Sequence, residues 1–195
     1  MEPFTTLCGI AAPLDRSNVD TDAIVPKQFL KVTGRAGLAR ALFHDLRREG
    51  DFVLDRPAWQ GASILVTGAN FGCGSSREHA VWALMDAGIR CVVAPSFAEI
   101  FSGNCVKNGL LAVALPQPEV DRLMDDARRG ADARLTVDLV AQEILRPDGE
   151  RIRFEIDAHA RRALLEGLDD IALTLGHESE IGAFEARRKA QTPWL

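Results

Sequence analysis

The sequence predicts an α/β fold in which a mixed sheet is flanked by helices, and three observations carry that prediction. Between residues 62 and 115, short apolar runs alternate with stretches of helical periodicity, the βαβαβ order of parallel strands. The first of those runs leads into Gly68-Ala-Asn-Phe-Gly72-Cys-Gly74-Ser75-Ser76-Arg77-Glu78-His79-Ala80, a glycine-rich strand-to-helix turn. The last third changes to short strands joined by a hairpin turn at Pro147-Asp148-Gly149, so the sheet is not a simple doubly wound one.

Taken in order, residues 7–14 read as a short strand with a turn at Pro13, and 15–37 as largely loop. Residues 38–48 read as a helix, because Leu38, Ala39, Leu42, Phe43 and Leu46 fall at helical spacing. Residues 62–67 form a buried-type strand, and 76–87 a helix that stops at Gly88. A strand at 91–94 ends at Pro95, a helix starts over 96–101, and 110–115 is the third strand of the run. A helix follows at 118–129, with Pro118 in its first turn. Short strands are expected at 134–139, 143–145 and 152–156, and helices at 158–166 and 180–188.

With 195 residues, 47% of them apolar, the chain has the size of one domain with a real core, expected to span 1–195 with a C-terminal strand and helix extension. Its 23 basic and 28 acidic residues give a net charge of −5, and no basic block occurs, which argues against nucleic-acid binding. An acidic chain that binds an anion does so with a few local cations rather than with its overall field. No apolar run nears the ~18 residues of a membrane span. The N-terminus lacks the pattern of a signal peptide, so no membrane contact and a cytoplasmic location are expected. Cys8, Cys73, Cys91 and Cys105 are scattered, without the close pairs typical of zinc and iron–sulfur sites. Reduced thiols and no metal held by this chain are expected, with Cys73 set apart because it lies in the glycine turn.

That turn fits none of the common glycine motifs. Arg77 stands where a dinucleotide fingerprint needs its third glycine, no P-loop lysine follows Gly74, and no G-x-S-x-G elbow is formed. Two readings stay open. Ser75-Ser76-Arg77-Glu78 has the S-x-x-E spacing of a capping box, which makes Ser75 an N-cap and Glu78 its reciprocal partner; the spacing recurs at Ser96-Phe97-Ala98-Glu99. Alternatively the turn is a carboxylate or phosphate site. A cap needs neither three glycines nor an arginine in the first turn, where the helix dipole disfavours a cation.

The segment Gly72-Cys-Gly-Ser-Ser-Arg-Glu-His-Ala80 resembles the signature of the swivelling domain of the aconitase superfamily. Within it, the chain resembles the family of small subunits of bacterial 3-isopropylmalate dehydratases. The resemblance extends to Asn18-Val-Asp-Thr-Asp-Ala-Ile-Val-Pro-Lys-Gln-Phe-Leu30, to Ala94-Pro-Ser-Phe-Ala-Glu-Ile-Phe101 with Asn104 and Asn108-Gly-Leu-Leu111, to Phe154-Glu-Ile-Asp157, and to Gly167-Leu-Asp-Asp-Ile-Ala-Leu-Thr-Leu175. It covers nearly the whole chain. One departure lies between Leu46 and Asp51, where this chain is shorter than bacterial members with an aromatic-containing stretch; the chain also has no tyrosine.

The resemblance implies a swivelling β/β/α-type fold and a hydro-lyase reaction of leucine biosynthesis. 2-Isopropylmalate and 3-isopropylmalate interconvert by loss and return of water through isopropylmaleate. It implies a large-subunit partner carrying a [4Fe–4S] cluster with one open iron, a Lewis acid for the leaving hydroxyl, so that this chain supplies half of an active site. Ser75 is then the base, acting as an alkoxide whose pKa is lowered by N–H donors of the turn and helix N-terminus and by Arg77. Arg77 clamps a substrate carboxylate, while Ser76 and Gly74 contribute further contacts. Glu78 and His79 are expected in structural roles. Asp20 and Asp22 match an acidic pair, with turn and cap chemistry as the plain alternative. Lys31-Val-Thr-Gly-Arg-Ala-Gly37 falls at the substrate-recognition loop, where Leu30 and Val32 meet the isopropyl group, Arg35 the distal carboxylate, and Lys31 is a further substrate-binding residue; a solvated loop is the alternative. Two other functions are compatible with the same turn: a small subunit of a related hydro-lyase acting on methylmalate, citraconate or homoaconitate, and a non-catalytic anion-binding module.

Overall fold

A computed structural model describes residues 1–31, 34–192 and 194. One sheet of seven strands organises them, in the order β4-β3-β2-β1-β5-β6-β7. Its parallel half is β1 (Thr6–Leu14), β2 (Ile64–Thr67), β3 (Cys91–Ala94) and β4 (Leu111–Ala114). Its antiparallel half is β5 (Arg134–Asp138), β6 (Glu143–Leu145) and β7 (Arg151–Arg153). The long strand β1 belongs to both: Thr6–Ile10 pairs antiparallel with β5, and Ala11–Leu14 pairs parallel with β2. The expected mixed sheet is therefore present, and β1 is its hinge between two pairing modes.

All four residues of β2 and of β3 are buried, as strands covered on both faces must be. Alternation sorts their side chains. Ala12, Leu14, Leu65, Val92 and Ala94 face one apolar cluster, packed by α3 (His79–Asp86) and α4 (Glu99–Asn108). Ala11, Ile64, Val66, Cys91 and Val93 face the other, shared with α5 (Gln117–Ala127) and with Leu135, Val137, Ile144 and Ile152 of the antiparallel half. The remaining helices are α1 (Thr21–Ile24), α2 (His44–Arg48), α6 (Ala158–Glu166), α7 (Asp170–Leu175) and α8 (Glu178–Gln191). Asp157 and Asp169 cap α6 and α7, accepting backbone N–H groups that hold both carboxyls below their ordinary range. A lowered carboxyl stabilises above its unfolded value, so these caps persist at neutral pH and loosen only in acid. No helix among the described residues is long and apolar enough to cross a membrane.

Four expectations are corrected. Pro13 makes no turn; it sits inside β1 opposite Val66, where β1 pairs only with β2, so its missing N–H is not needed on the other side. The helix expected over 38–48 is broken: Ala39–Ala41 is a 3-10 turn, and α2 starts only at His44. Between them Phe43 takes a left-handed conformation (φ 53°), donates its N–H to the Ile24 carbonyl at 2.8 Å and buries its ring against Phe52. Burying that ring wins over continuing the helix. The last short strand ends at Arg153, earlier than expected. The segment Asp170–Leu175, read only as part of a matching motif, is a helix, and no residue of α7 or α8 is buried.

The glycine turn emerges from the carboxyl end of β2, beside the carboxyl end of parallel β1, the edge where α/β sheets place ligands. Gly72 is required there for steric reasons. Its φ is +78°, and a Cβ would lie 2.1 Å from the buried Phe101 ring of α4. Gly72→Ala is expected to destabilise the fold by about 1–3 kcal/mol through overpacking alone, read as a lowered urea midpoint with an unchanged slope.

Candidate active site

Two loops that are far apart in sequence meet over this edge. Asn18 N–H donates to Ala69 O at 2.8 Å, Gly72 N–H to Val19 O at 2.8 Å, and Thr21 N–H to Cys73 O at 2.9 Å. The Asn70 amide adds a side-chain bond to Asn18 Oδ1 at 2.8 Å, with both asparagines at positive φ. A third loop joins through Phe71, whose N–H donates to Ser96 O and whose carbonyl accepts from Ala98 N–H. The segment after β1 is thereby zipped along the glycine turn, and α1 starts at the end of the zipper. Asp20 caps α1, accepting Ala23 N–H at 2.7 Å; the plain alternative describes its geometry. Gly74 (φ +96°) lets the turn pass the Asp20 side chain, where an added Cβ would sit at 3.3 Å.

Ser75 is not a cap. α3 begins only at His79, with Glu78 at its cap position and no side chain capping it. The Ser75 hydroxyl instead lies 2.6 Å from Thr21 Oγ1, which also accepts Ser75 N–H at 3.2 Å. The capping-box reading is overturned, because the Ser75 hydroxyl bonds Thr21 and α3 starts only at His79. The second box fails as well: Ser96 Oγ accepts Asn70 N–H at 2.9 Å, and α4 starts at Glu99 behind Ala98. Two supporting inferences change with this result. Arg77 precedes the first turn of α3 rather than occupying it, and Ser75 stands four residues ahead of His79, not at the helix mouth.

Arg77 is half-buried and forms an ion pair with the more exposed Asp22 of α1. The two candidate positions thus face each other across the zipper. Ser76 and Gly74 are exposed on the turn, and the Asn104 amide of α4 reaches the Ser76 carbonyl at 3.4 Å. Glu78 closes no box; its Oε1 accepts from Asn108 Nδ2 at 2.7 Å and from Trp82 Nε1 at 3.3 Å, while Trp82 Nε1 also donates to Asn108 Oδ1 at 3.0 Å. That triangle locks α3 to α4 beneath the turn. The His79 ring packs on Trp82 with centroids 4.6 Å apart.

The predicted recognition loop is divided. Leu30 ends the 3-10 turn Lys27–Phe29 and packs partly against the first apolar cluster. Lys31 is exposed, and Val32 lies outside the described residues. The Arg35 guanidinium sits 5.8 Å above the Trp82 ring, which brings the loop to the aromatic that Glu78 and His79 also touch. The shortened stretch after Leu46 lines a separate cavity of about 480 Å³ with Leu14, Phe52, Arg56, Trp59 and Arg128; among the described residues, none of the candidates lines it.

Among the described residues no group of three or more His, Cys, Asp and Glu side chains is arranged to hold a metal ion. Cys91 and Cys105 are buried near one another, with burial pushing their thiols up, Cys8 is exposed on β1, and Cys73 is half-buried. This donor set does not fit an iron–sulfur cluster held by this chain alone. Sequence reasoning missed Thr21, Trp82 and Asn108 as parts of the site. Thr21 stands between the two acids that it did single out, and Asn108 falls inside a quoted motif, but only the fold brings them to the turn. Asn108→Ala leaves Glu78 and the Trp82 indole short of a partner and is expected to cost roughly 1–3 kcal/mol, measured by urea denaturation with Trp82 fluorescence as the local probe.

A family model described as the aconitase C-terminal domain matches residues 1–118. A model described as LeuD_N matches 121–158, and one described as the C-terminal domain of the 3-isopropylmalate dehydratase small subunit matches 170–195. The 3-isopropylmalate dehydratase small subunits of Dinoroseobacter shibae and Paramagnetospirillum magneticum are 60% and 59% identical, each covering 100% of both chains. Those alignments run over 201 positions against the 195 residues here. A crystal structure of 3-isopropylmalate dehydratase (leuD) from Methanocaldococcus jannaschii matches 92% of this chain and 99% of its own with a TM-score of 0.70 at 29% identity. On full-length identity, domain order and fold together, the chain belongs to the 3-isopropylmalate dehydratase small subunit family, within the aconitase C-terminal domain fold.

Proposed function

We propose that this chain works as the small subunit of a 3-isopropylmalate dehydratase, a hydro-lyase of leucine biosynthesis, and that the turn around Ser75 is its share of the active site. The observation that carries the site is the Ser75 hydroxyl itself. It sits on a rigid turn, spent neither on capping a helix nor on a backbone carbonyl, with a guanidinium two residues away.

The chemistry asks for what this corner offers. Interconverting 2-isopropylmalate and 3-isopropylmalate requires taking a proton from a carbon beside a carboxylate, where acidity is very low. A positioned base and cations on the carboxylate lower that barrier. Ser75 accepts the proton at Oγ as an alkoxide, the C–H electron pair forms the double bond of isopropylmaleate, and the hydroxyl departs from the neighbouring carbon with its own pair. Rehydration in the other sense returns the proton to the other carbon. Arg77 presents two parallel N–H donors to a substrate carboxylate. Asp22 holds the guanidinium before substrate arrives, and the donors it does not use remain for the ligand. Ser76 and the Gly74 backbone line the exposed side of the turn. Arg35 serves the distal carboxylate, Leu30 with Val32 the isopropyl group, and Lys31 is a further substrate-binding residue of the same loop.

Departure of the hydroxyl falls outside the reach of these residues. It belongs to a large-subunit partner, on which the [4Fe–4S] cluster of the superfamily resides. The chain acts as a single swivelling domain in the cytoplasm, with α7 and α8 as its C-terminal extension. The exposed Ile171, Leu175 and Phe184 of those helices support reading them as an appendage rather than as part of the core.

Co-expression with a cluster-bearing large subunit, followed by an assay of isopropylmaleate hydration beside citraconate and homoaconitate, tests the whole reading. Preference for isopropylmaleate is expected. Preference for another diacid moves the substrate but keeps the reaction class, and a chain that neither co-purifies with nor is activated by any such partner is an anion-binding module instead. Ser75→Ala is expected to leave the complex intact and to lower kcat by several orders of magnitude; near-normal turnover removes Ser75 as the base. Arg77→Lys is expected to raise KM and lower kcat together, since an ammonium cannot form the planar fork, whereas an unchanged KM takes Arg77 out of the substrate site.

A further inference from the structure

We infer that Thr21 is the positioning residue of Ser75, holding its oxygen in place and donating the hydrogen bond that stabilises it once it has lost its proton. This deepens the proposed function and rests on Ser75 being the base.

The geometry decides the direction of the bond. Thr21 is buried, with 1% of its surface exposed, so its hydroxyl must find partners inside the protein. One partner is Ser75 N–H, which donates to Thr21 Oγ1 at 3.2 Å. That bond uses a lone pair of Thr21 and leaves its own hydrogen free to donate. The acceptor in reach is Ser75 Oγ at 2.6 Å, the short end of the O–H···O range. While Ser75 is neutral either hydroxyl can donate. After Ser75 gives up its proton only Thr21 can, and the bond becomes charge-assisted.

The placement of Thr21 is over-determined. Its N–H donates to Cys73 O at 2.9 Å, its carbonyl accepts from Val25 N–H at 2.9 Å, and Asp20 caps the same short helix. β-branching restricts its χ1. Its hydroxyl is therefore fixed relative to the turn before any substrate arrives, as a donor aimed at developing charge must be. The other candidate stabilisers are less well placed. Arg77 is engaged by Asp22, and α3 starts four residues beyond Ser75. Thr21 is the nearest side-chain donor that the described structure offers to the Ser75 oxygen.

The test uses the complex with the large subunit and three variants. Thr21→Val keeps the shape and removes the hydroxyl; Thr21→Ser keeps the hydroxyl; Ser75→Ala is the control for the base itself. Substrate carrying deuterium at the carbon that loses its proton reports on the abstraction step. Thr21→Val is expected to lower kcat about a hundredfold or more, the loss typical of one preorganised donor, with KM changed no more than a few-fold and a larger deuterium isotope effect. Thr21→Ser is expected to restore most of kcat and the original isotope effect. If valine prevents assembly, Thr21→Ala, which only removes atoms, is read in the same way. Wild-type kcat in the valine variant overturns the proposal, as does a lower kcat with an unchanged isotope effect, since that is lost active enzyme rather than a weaker base. If Ser75→Ala is inactive while Thr21→Val is normal, the base stands and only the role of Thr21 falls. If Ser75→Ala is itself active, the underlying reading falls with it.

Discussion

The backbone zipper between residues 18–21 and 69–75 is the constraint on which the chemistry of this chain depends. Each of the two loops alone is an irregular surface segment with unpaired polar backbone. Laid side by side at the carboxyl ends of parallel β1 and β2, they satisfy one another through three N–H···O bonds and the Asn70–Asn18 contact. The approach is close enough that a Cβ on Gly74 would lie 3.3 Å from that of Asp20. The same closeness puts Thr21 on Ser75 and Asp22 on Arg77. A serine on a free glycine loop would sample many orientations; here it is pinned to one by a neighbour that is itself pinned at its N–H and its carbonyl.

Charge is handled locally. The chain is acidic overall, with a net charge of −5, so no long-range field draws in a dicarboxylate. The cations near the turn are instead held individually. Arg77 is paired with Asp22, and Arg35 lies over the Trp82 face. Trp82 ties Arg35 to the helices below, since its indole also bonds Glu78 and Asn108, which tie α3 to α4. Of the two candidate cations, Arg35 therefore rests on an aromatic face and Arg77 on a carboxylate ahead of α3, rather than in the helix first turn where the spacing of Arg77 had placed it.

The buried cysteines and the exposed C-terminal helices stand at opposite ends of the packing in this fold. The buried thiols of Cys91 and Cys105 are packing groups near one another, whereas Cys8 is exposed and Cys73 half-buried. Helices α7 and α8 bury none of their residues, although Ile171, Leu175, Ile181 and Phe184 are apolar. Asp170 ties α7 to Lys107 of α4, and Asp169 caps it, so this exposed segment is still anchored near the rest of the fold.

From the sequence alone, local periodicity and turn chemistry determine most elements. The buried runs at β2 and β3 have no polar alternative, Pro147-Asp148-Gly149 joins β6 and β7, and Gly88 stops the helix before it. The glycine-rich turn, its serine and its arginine are equally visible there, because their residue types are unusual at a strand-to-helix junction. Capping is where that reading fails. The S-x-x-E spacing at Ser75 is a local signal, and a competing bond from residue 21, far away in sequence, takes the hydroxyl instead. The broken helix at Phe43 has the same cause, a distant cluster that buries one ring at the expense of local continuity. Which oxygen faces which, and so whether Ser75 is a cap or a candidate base, is decided only when parallel β1 and β2 bring the two loops together, because hydrogen bonds between remote segments leave no periodic trace in the chain.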